Sequence, residues 1–167
     1  GAYHWEDIKQ DSFKDLISRS VSTLSRYNKI LNAVPINAKK IVDIGCGDGA
    51  LTYLLAKKNH IEEALGCDTE KTGIMLARDK TKDLPESNKI QYINKSFEDC
   101  QFPDQSIDVI TMCDVIEHIE ECDPLLKEIK RVGKKGGVLI NTTPLKRNNG
   151  IKWDDHHILE YTKDSLF

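Results

Sequence analysis

The chain has 167 residues, 39% hydrophobic and 31% charged, which suits one globular domain with a real core. A formal net charge of −3 argues against a nucleic-acid surface, and no apolar run approaches the length of a membrane span. Five cysteines without a C-x-x-C pair argue against a disulfide framework or a zinc knuckle, so reduced thiols and a cytoplasmic home are expected.

No signal-peptide pattern shows at the start. The first predicted element is a helix. Phe13, Leu16, Ile17, Val21, Leu24, Tyr27, Ile30 and Leu31 recur at three- and four-residue steps, and Pro35 closes the stripe. Residues 1–36 therefore read as an N-terminal helical extension, and residues 37–167 as the main domain. Upstream, Tyr3-His4-Trp5 is read as rings packed on that domain rather than as a lid.

The stretch Ile41-Val42-Asp43-Ile44 is an apolar, β-branched strand carrying one acid. Gly45, Gly47 and Gly49 follow at alternate positions, and Ala50, Leu51, Leu54 and Leu55 open a helical pattern at once. A glycine-rich turn at the end of a parallel strand lets a ligand approach bare backbone. The helix start behind it offers free N–H groups. A dinucleotide fingerprint has the longer G-x-G-x-x-G spacing. In addition, Asp43 and Asp48 are expected to repel a pyrophosphate.

Ala64-Leu65-Gly66-Cys67-Asp68 reads as the second strand, with Asp68 at its tip. An acid about 20 residues past such a turn accepts the two hydroxyls of a ribose. A helix over Lys71 to Asp79 follows, for which Asp68 is the alternative N-cap. Lys89 to Asn94 reads as the third strand and Ile107 to Met112 as the fourth. Asp123-Pro124 starts a helix with Leu125, Leu126, Ile129 and Val132 on one face, and Gly133 ends it. Val138 to Thr142 is the fifth strand. Thr162 and Asp164 fit the start of one more helix near the end.

The run Asp43 to Gly49 resembles motif I of the class I S-adenosylmethionine (SAM) dependent methyltransferases. Later segments extend the likeness over about residues 37–167: Ser96-Phe97 in the loop after strand three, Asp114-Val115-Ile116-Glu117-His118-Ile119, and the ending from Leu125 to Thr143. The resemblance implies an α/β, Rossmann-like, doubly wound and mostly parallel sheet of order 3-2-1-4-5. It also implies a closing antiparallel hairpin, for which no sequence is left before Phe167.

By the same resemblance, Asp43, Gly45, Cys46, Gly47, Asp68, Thr69, Ser96, Phe97 and Cys113 hold SAM, with S-adenosylhomocysteine (SAH) as the product. The methyl group goes to the O or N of a small-molecule acceptor, without nucleic acid or membrane. His118, His156 and His157 are the candidate bases, because imidazole titrates nearest neutrality. No metal is assigned in this reading.

Three alternatives stand beside it. Asp114, Glu117, His118 and His157 resemble the metal-binding set of small-RNA 2′-O-methyltransferases. An NAD-dependent oxidoreductase needs the longer glycine spacing. A module that binds SAM without catalysis fits the absent hairpin.

Overall fold

The computed structural model describes residues 21–146 and 157–162. The helical stripe of the N-terminal region is seen from its second half on, as α1 (Val21–Ala33). Tyr3-His4-Trp5, the start of that stripe, His156 and Asp164 lie outside the described residues.

Five strands follow: β1 (Lys40–Ile44), β2 (Glu63–Cys67), β3 (Ile90–Ile93), β4 (Ile107–Cys113) and β5 (Gly133–Thr142). They form one all-parallel sheet in the order β3-β2-β1-β4-β5. The order reverses between β1 and β4. The carboxyl ends of those strands therefore border the crevice where open α/β sheets bind ligands.

Helices cover both faces, so the strands carry near-continuous apolar runs rather than clean alternation. Ile41, Ala64 and Val109 face one side, under Ile30 and Val34 of the α1 region and Leu51 and Leu55 of α2 (Ala50–Ala56). Val42, Ile44, Ile110 and Met112 face the other, under Leu125, Ile129 and Val132 of α4 (Asp123–Val132). α3 (Lys71–Thr81) packs Ile74 and Ala77 on Tyr92 of β3.

Several local expectations shift. The α4 cap falls on Cys122, not Asp123, and Pro124 sits in the first turn, where a missing N–H costs nothing. Leu126 does not join the apolar face; it is 41% exposed. Gly133 is not a left-handed terminator. Its φ of −66° and ψ of 133° are extended, and β5 begins there. The left-handed residue is Gly136, φ 78°, at the irregularity where Ile107 pairs with Gly133 and Val109 with Val138. Here the strand pairing outweighed the local helix-stop signal.

Candidate active site

The turn after β1 is built on positive φ. Gly45 (φ 67°) and Gly49 (φ 79°) sit where side chains are strained, and neither has room for one. A Cβ on Gly45 would lie 2.5 Å from Val115 Cγ2, and one on Gly49 would run into the Tyr92 ring. The turn is thereby pressed between the segment after β4 and the ring from β3. The N–H groups of Gly45 and Cys46 both donate to the Cys67 carbonyl, at 2.8 and 3.1 Å, which ties the turn to the tip of β2.

Asp43 is not at the surface of this turn. It is 2% exposed and points into the sheet face covered by α2. Its two oxygens accept the hydroxyls of Thr52 (2.8 Å) and Thr111 (2.7 Å). Strand parity explains this: Asp43 shares its face with Ile41, two residues back. Burial pushes its carboxyl up to about 6, against the pull of the two hydroxyls. Asp43 is not among the residues that border the cleft described below. It braces β1 to α2 and β4.

The raised value carries a sign. A carboxyl whose folded pKa exceeds its ordinary one contributes full stability below the ordinary value. That contribution is lost as pH rises through the folded value. Asp43→Asn should therefore gain about 3 kcal/mol relative to the wild type between about pH 4 and pH 7.5. Urea unfolding of both proteins across that range reads it, and parallel profiles would show Asp43 to be uncharged or solvated.

Asp48 borders the cleft described below, but its carboxylate is already paired. Lys80 of α3 holds its Oδ2 at 2.8 Å, with both side chains at 10% exposure or less, and its Oδ1 accepts the Ala50 N–H. Of the two acids expected to repel a pyrophosphate, only Asp48 borders the cleft, and Lys80 neutralises it. The acids lining the cleft are Asp48, Asp68, Glu70, Glu98 and Asp114, against the cations Arg26 and Lys95. A net acidic lining suits a sulfonium better than a diphosphate.

These groups line one cleft of about 690 Å³ across the ends of β1, β2 and β4. Gly45, Cys46, Gly47, Asp68, Thr69, Ser96, Phe97, Cys113 and His118 all border it, so the expected cofactor residues, Asp43 apart, and one of the three candidate bases lie together; His157 is not among the lining residues. Asp68 Oδ2 accepts the Gly47 N–H at 2.9 Å and Oδ1 the Glu70 N–H at 2.8 Å. It is not the N-cap of α3, which is Glu70. Each oxygen has a further lone pair beyond the bond it accepts. Burial pushes the Cys113 thiol up to about 12, so no thiolate competes as a nucleophile there.

The histidines come together across the chain. Glu117 and His118 sit in a single turn, Ile116–His118, with Glu117 fully buried and His118 at the cleft. The Glu117 carbonyl accepts the N–H groups of Ile158 and Leu159, which pins His157 alongside. The rings of His118 and His157 meet edge to face at 5.1 Å. His157 is buried, with Nδ1 3.2 Å from Glu160 Oε1. Asp114 does not join them. Its carboxylate pairs with Arg26 at 3.0 Å and accepts the Thr142 hydroxyl.

A family model described as "Methyltransferase domain" matches residues 42–141. The chain belongs to this methyltransferase-domain family. Among curated proteins, it is 27% identical over 142 residues to the ubiquinone/menaquinone biosynthesis C-methyltransferase UbiE of Vibrio vulnificus, covering 83% of this chain and 54% of that one. The chain thus spans about half the length of the UbiE proteins it matches. Among solved structures, the YcgJ protein of Bacillus subtilis superposes with a TM-score of 0.74 at 18% identity, over 86% of this chain and 64% of that one. A geranyl diphosphate methyltransferase in complex with SAM gives a TM-score of 0.64 at 13% identity, over 70% and 47%.

Outside the matched methyltransferase domain, sequence reasoning missed the contribution of α1. Arg26 and Tyr27 line the cleft, and burial holds the Tyr27 hydroxyl far above its ordinary range. In the sequence Tyr27 reads only as part of an apolar stripe. The one available signal was Arg26 beside it, on a stripe otherwise committed to the core. Thr52 and Thr111, which grip Asp43, carried no signal at all.

Proposed function

We propose that this domain transfers the methyl group of SAM to a small-molecule acceptor, leaving SAH. The observation that carries the reading is the convergence of the Gly45–Gly47 turn, the Asp68 carboxylate and His118 on one acid-lined cleft. When bound, SAM supplies a sulfonium methyl: an acceptor lone pair bonds to that carbon in line, and the S–C pair returns to sulfur.

The chain's own residues do the rest. Asp68 accepts the ribose hydroxyls while keeping Gly47 in place. Ser96 and Phe97 border the adenine. His118 takes the proton that an O–H or N–H acceptor loses. Fixing both partners in line is the larger contribution, since SAM is already activated. The UbiE relatives are named C-methyltransferases. A carbon acceptor on a ring needs the same removal of a proton, so it is compatible with the same base. The net charge of −3 favours a small molecule over nucleic acid. Five free cysteines fit a reducing cytoplasm. No helix among the described residues is long and apolar enough to cross a membrane.

Calorimetry tests the cofactor: SAM and SAH bind and NADH does not. Labelled SAM with candidate small-molecule pools tests the transfer. NADH binding in place of SAM would return the oxidoreductase reading. SAM binding with no transfer would return the non-catalytic one.

A second reading, metal-dependent methylation, is favoured by one observation. Ligand atoms of Glu117, His118 and His157 lie within 4.8 Å of one another. Glu117 Oε2 accepts the Thr143 hydroxyl, whereas the buried Oε1 meets no donor among the described residues. Glu160 on His157 Nδ1 is the kind of carboxylate that orients a ligating imidazole. The donor set fits a divalent cation, which would bind acceptor hydroxyls and ease their deprotonation. Asp114, paired to Arg26, stands outside it. Activity lost on chelation and restored by Mn²⁺ or Mg²⁺ selects this reading; activity indifferent to chelation removes it.

A further inference from the structure

Cys67 and Cys100 are far apart in the chain and meet on one face of the sheet. Cys67 is the last residue of β2, buried in the apolar layer that holds Ile44 and Met112. Cys100 ends the short turn Glu98–Cys100, just past the Ser96-Phe97 loop, and packs against the same layer. Cys46 and Cys113 belong to other layers, so Cys100 is the thiol that shares a side with Cys67.

The two thiols hydrogen-bond to each other, and Cys100 Sγ also reaches the Ser96 carbonyl at 3.2 Å. Cys67 thus donates to Cys100, and Cys100 to Ser96. The bond from Cys67, helped by Lys95, holds the Cys100 thiol below its ordinary range against burial and Asp99. The same bond, together with burial, holds Cys67 well above it. The pair is therefore unequal. A half-buried thiol ionises more readily, and a buried one stays protonated behind it. That is the arrangement of an attacking and a resolving cysteine.

We propose that Cys67 and Cys100 form a reversible disulfide that loosens the cofactor cleft when a hydroperoxide reaches Cys100. The Cys100 sulfur attacks one peroxide oxygen. An S–O bond forms, the O–O bond breaks, and the departing oxygen takes the proton that Cys100 gave up. The Cys67 sulfur then bonds to Cys100, the S–O bond breaks, and the released hydroxide takes the Cys67 proton. Two thiols lose two electrons and two protons, and the hydroperoxide becomes an alcohol and water. The effect on the cleft rests on the SAM reading above. Cys67, Ser96 and Phe97 all border it. In a disulfide the sulfurs close to about 2.0 Å and carry no S–H. The Ser96 carbonyl then loses its donor. The tip of β2, where the Cys67 carbonyl accepts the Gly45 and Cys46 N–H groups, is drawn toward the loop. The glycine turn and the Ser96-Phe97 loop no longer keep the spacing that receives a nucleoside.

The test treats the reduced protein with hydrogen peroxide, alkylates the remaining thiols and maps the peptides by mass spectrometry. A bond between Cys67 and Cys100 should form, with Cys46, Cys113 and Cys122 still alkylated. SAM affinity by calorimetry should fall about 10-fold on oxidation and return with dithiothreitol. Cys100→Ser should bind SAM like the reduced wild type and ignore peroxide. Should that variant fail to fold, the loss and recovery in the wild type carry the same comparison. Both thiols left free, or Cys100 taken to sulfinic acid with Cys67 still alkylated, overturns the pairing. A Cys67–Cys100 bond with unchanged SAM affinity overturns the link to the cleft. Reduced wild-type protein that does not bind SAM overturns the SAM reading instead, and the peptide map still decides the disulfide.

Discussion

Asp68→Ala weakens SAM binding by about 100-fold or more, the equivalent of two charge-assisted hydrogen bonds at about 1.5–3 kcal/mol each. The loss has two sources. One is the acceptor that the proposed reading gives to the ribose diol. The other is the brace on the glycine turn, because Asp68 Oδ2 holds the Gly47 N–H at 2.9 Å. Asp68→Asn separates them: its amide oxygen can still accept one backbone N–H, so the turn is held while the charge is lost. Calorimetry on both variants reads the split, and melting curves report the brace alone. Unchanged SAM affinity in Asp68→Ala would remove the ribose from this strand tip and the orientation of the cofactor with it.

Gly45→Val abolishes cofactor binding and destabilises the fold by about 1–3 kcal/mol. The backbone there has φ 67°, and the new Cβ would meet Val115 Cγ2 at 2.5 Å. A second change divides the two effects. Gly45→Val with Val115→Ala removes the clash and leaves the backbone strain, so part of the stability returns. Binding does not return, because the side chain still stands where the ligand meets the main chain. Chemical denaturation and SAM titration of the single and double variants measure both quantities. SAM binding retained in the single variant would mean that the ligand does not approach the backbone at Gly45.

Both expectations start from residues that stand out in the amino-acid sequence, and that is no accident of choice. The strand, glycine turn and helix around Gly45 are set by neighbours in the chain: β-branched alternation, positive-φ glycines and a 3.6-residue apolar period. Asp68 at the tip of β2 is legible for the same reason, since its distance from the turn is fixed by one helix and one strand. Strands alternating with helices suit a parallel sheet, and the family resemblance supplied its order.

The chemistry beyond that was decided by packing. Asp43 and Asp48 look alike in the sequence, both acids at a glycine turn. Strand parity buried the first on Thr52 and Thr111, and α3 delivered Lys80 to the second. Only the close approach of α1 to β4 turned an unremarkable Arg26 into the partner of Asp114. Only the return of the chain past Glu117 set His157 against His118. The amino-acid sequence by itself determined the strands, the helices and the glycine turn, because those depend on contacts between near neighbours, and the sheet order came with the family resemblance. The direction of each charge in the cleft depends on partners far apart in the chain, so the tertiary structure alone decided it.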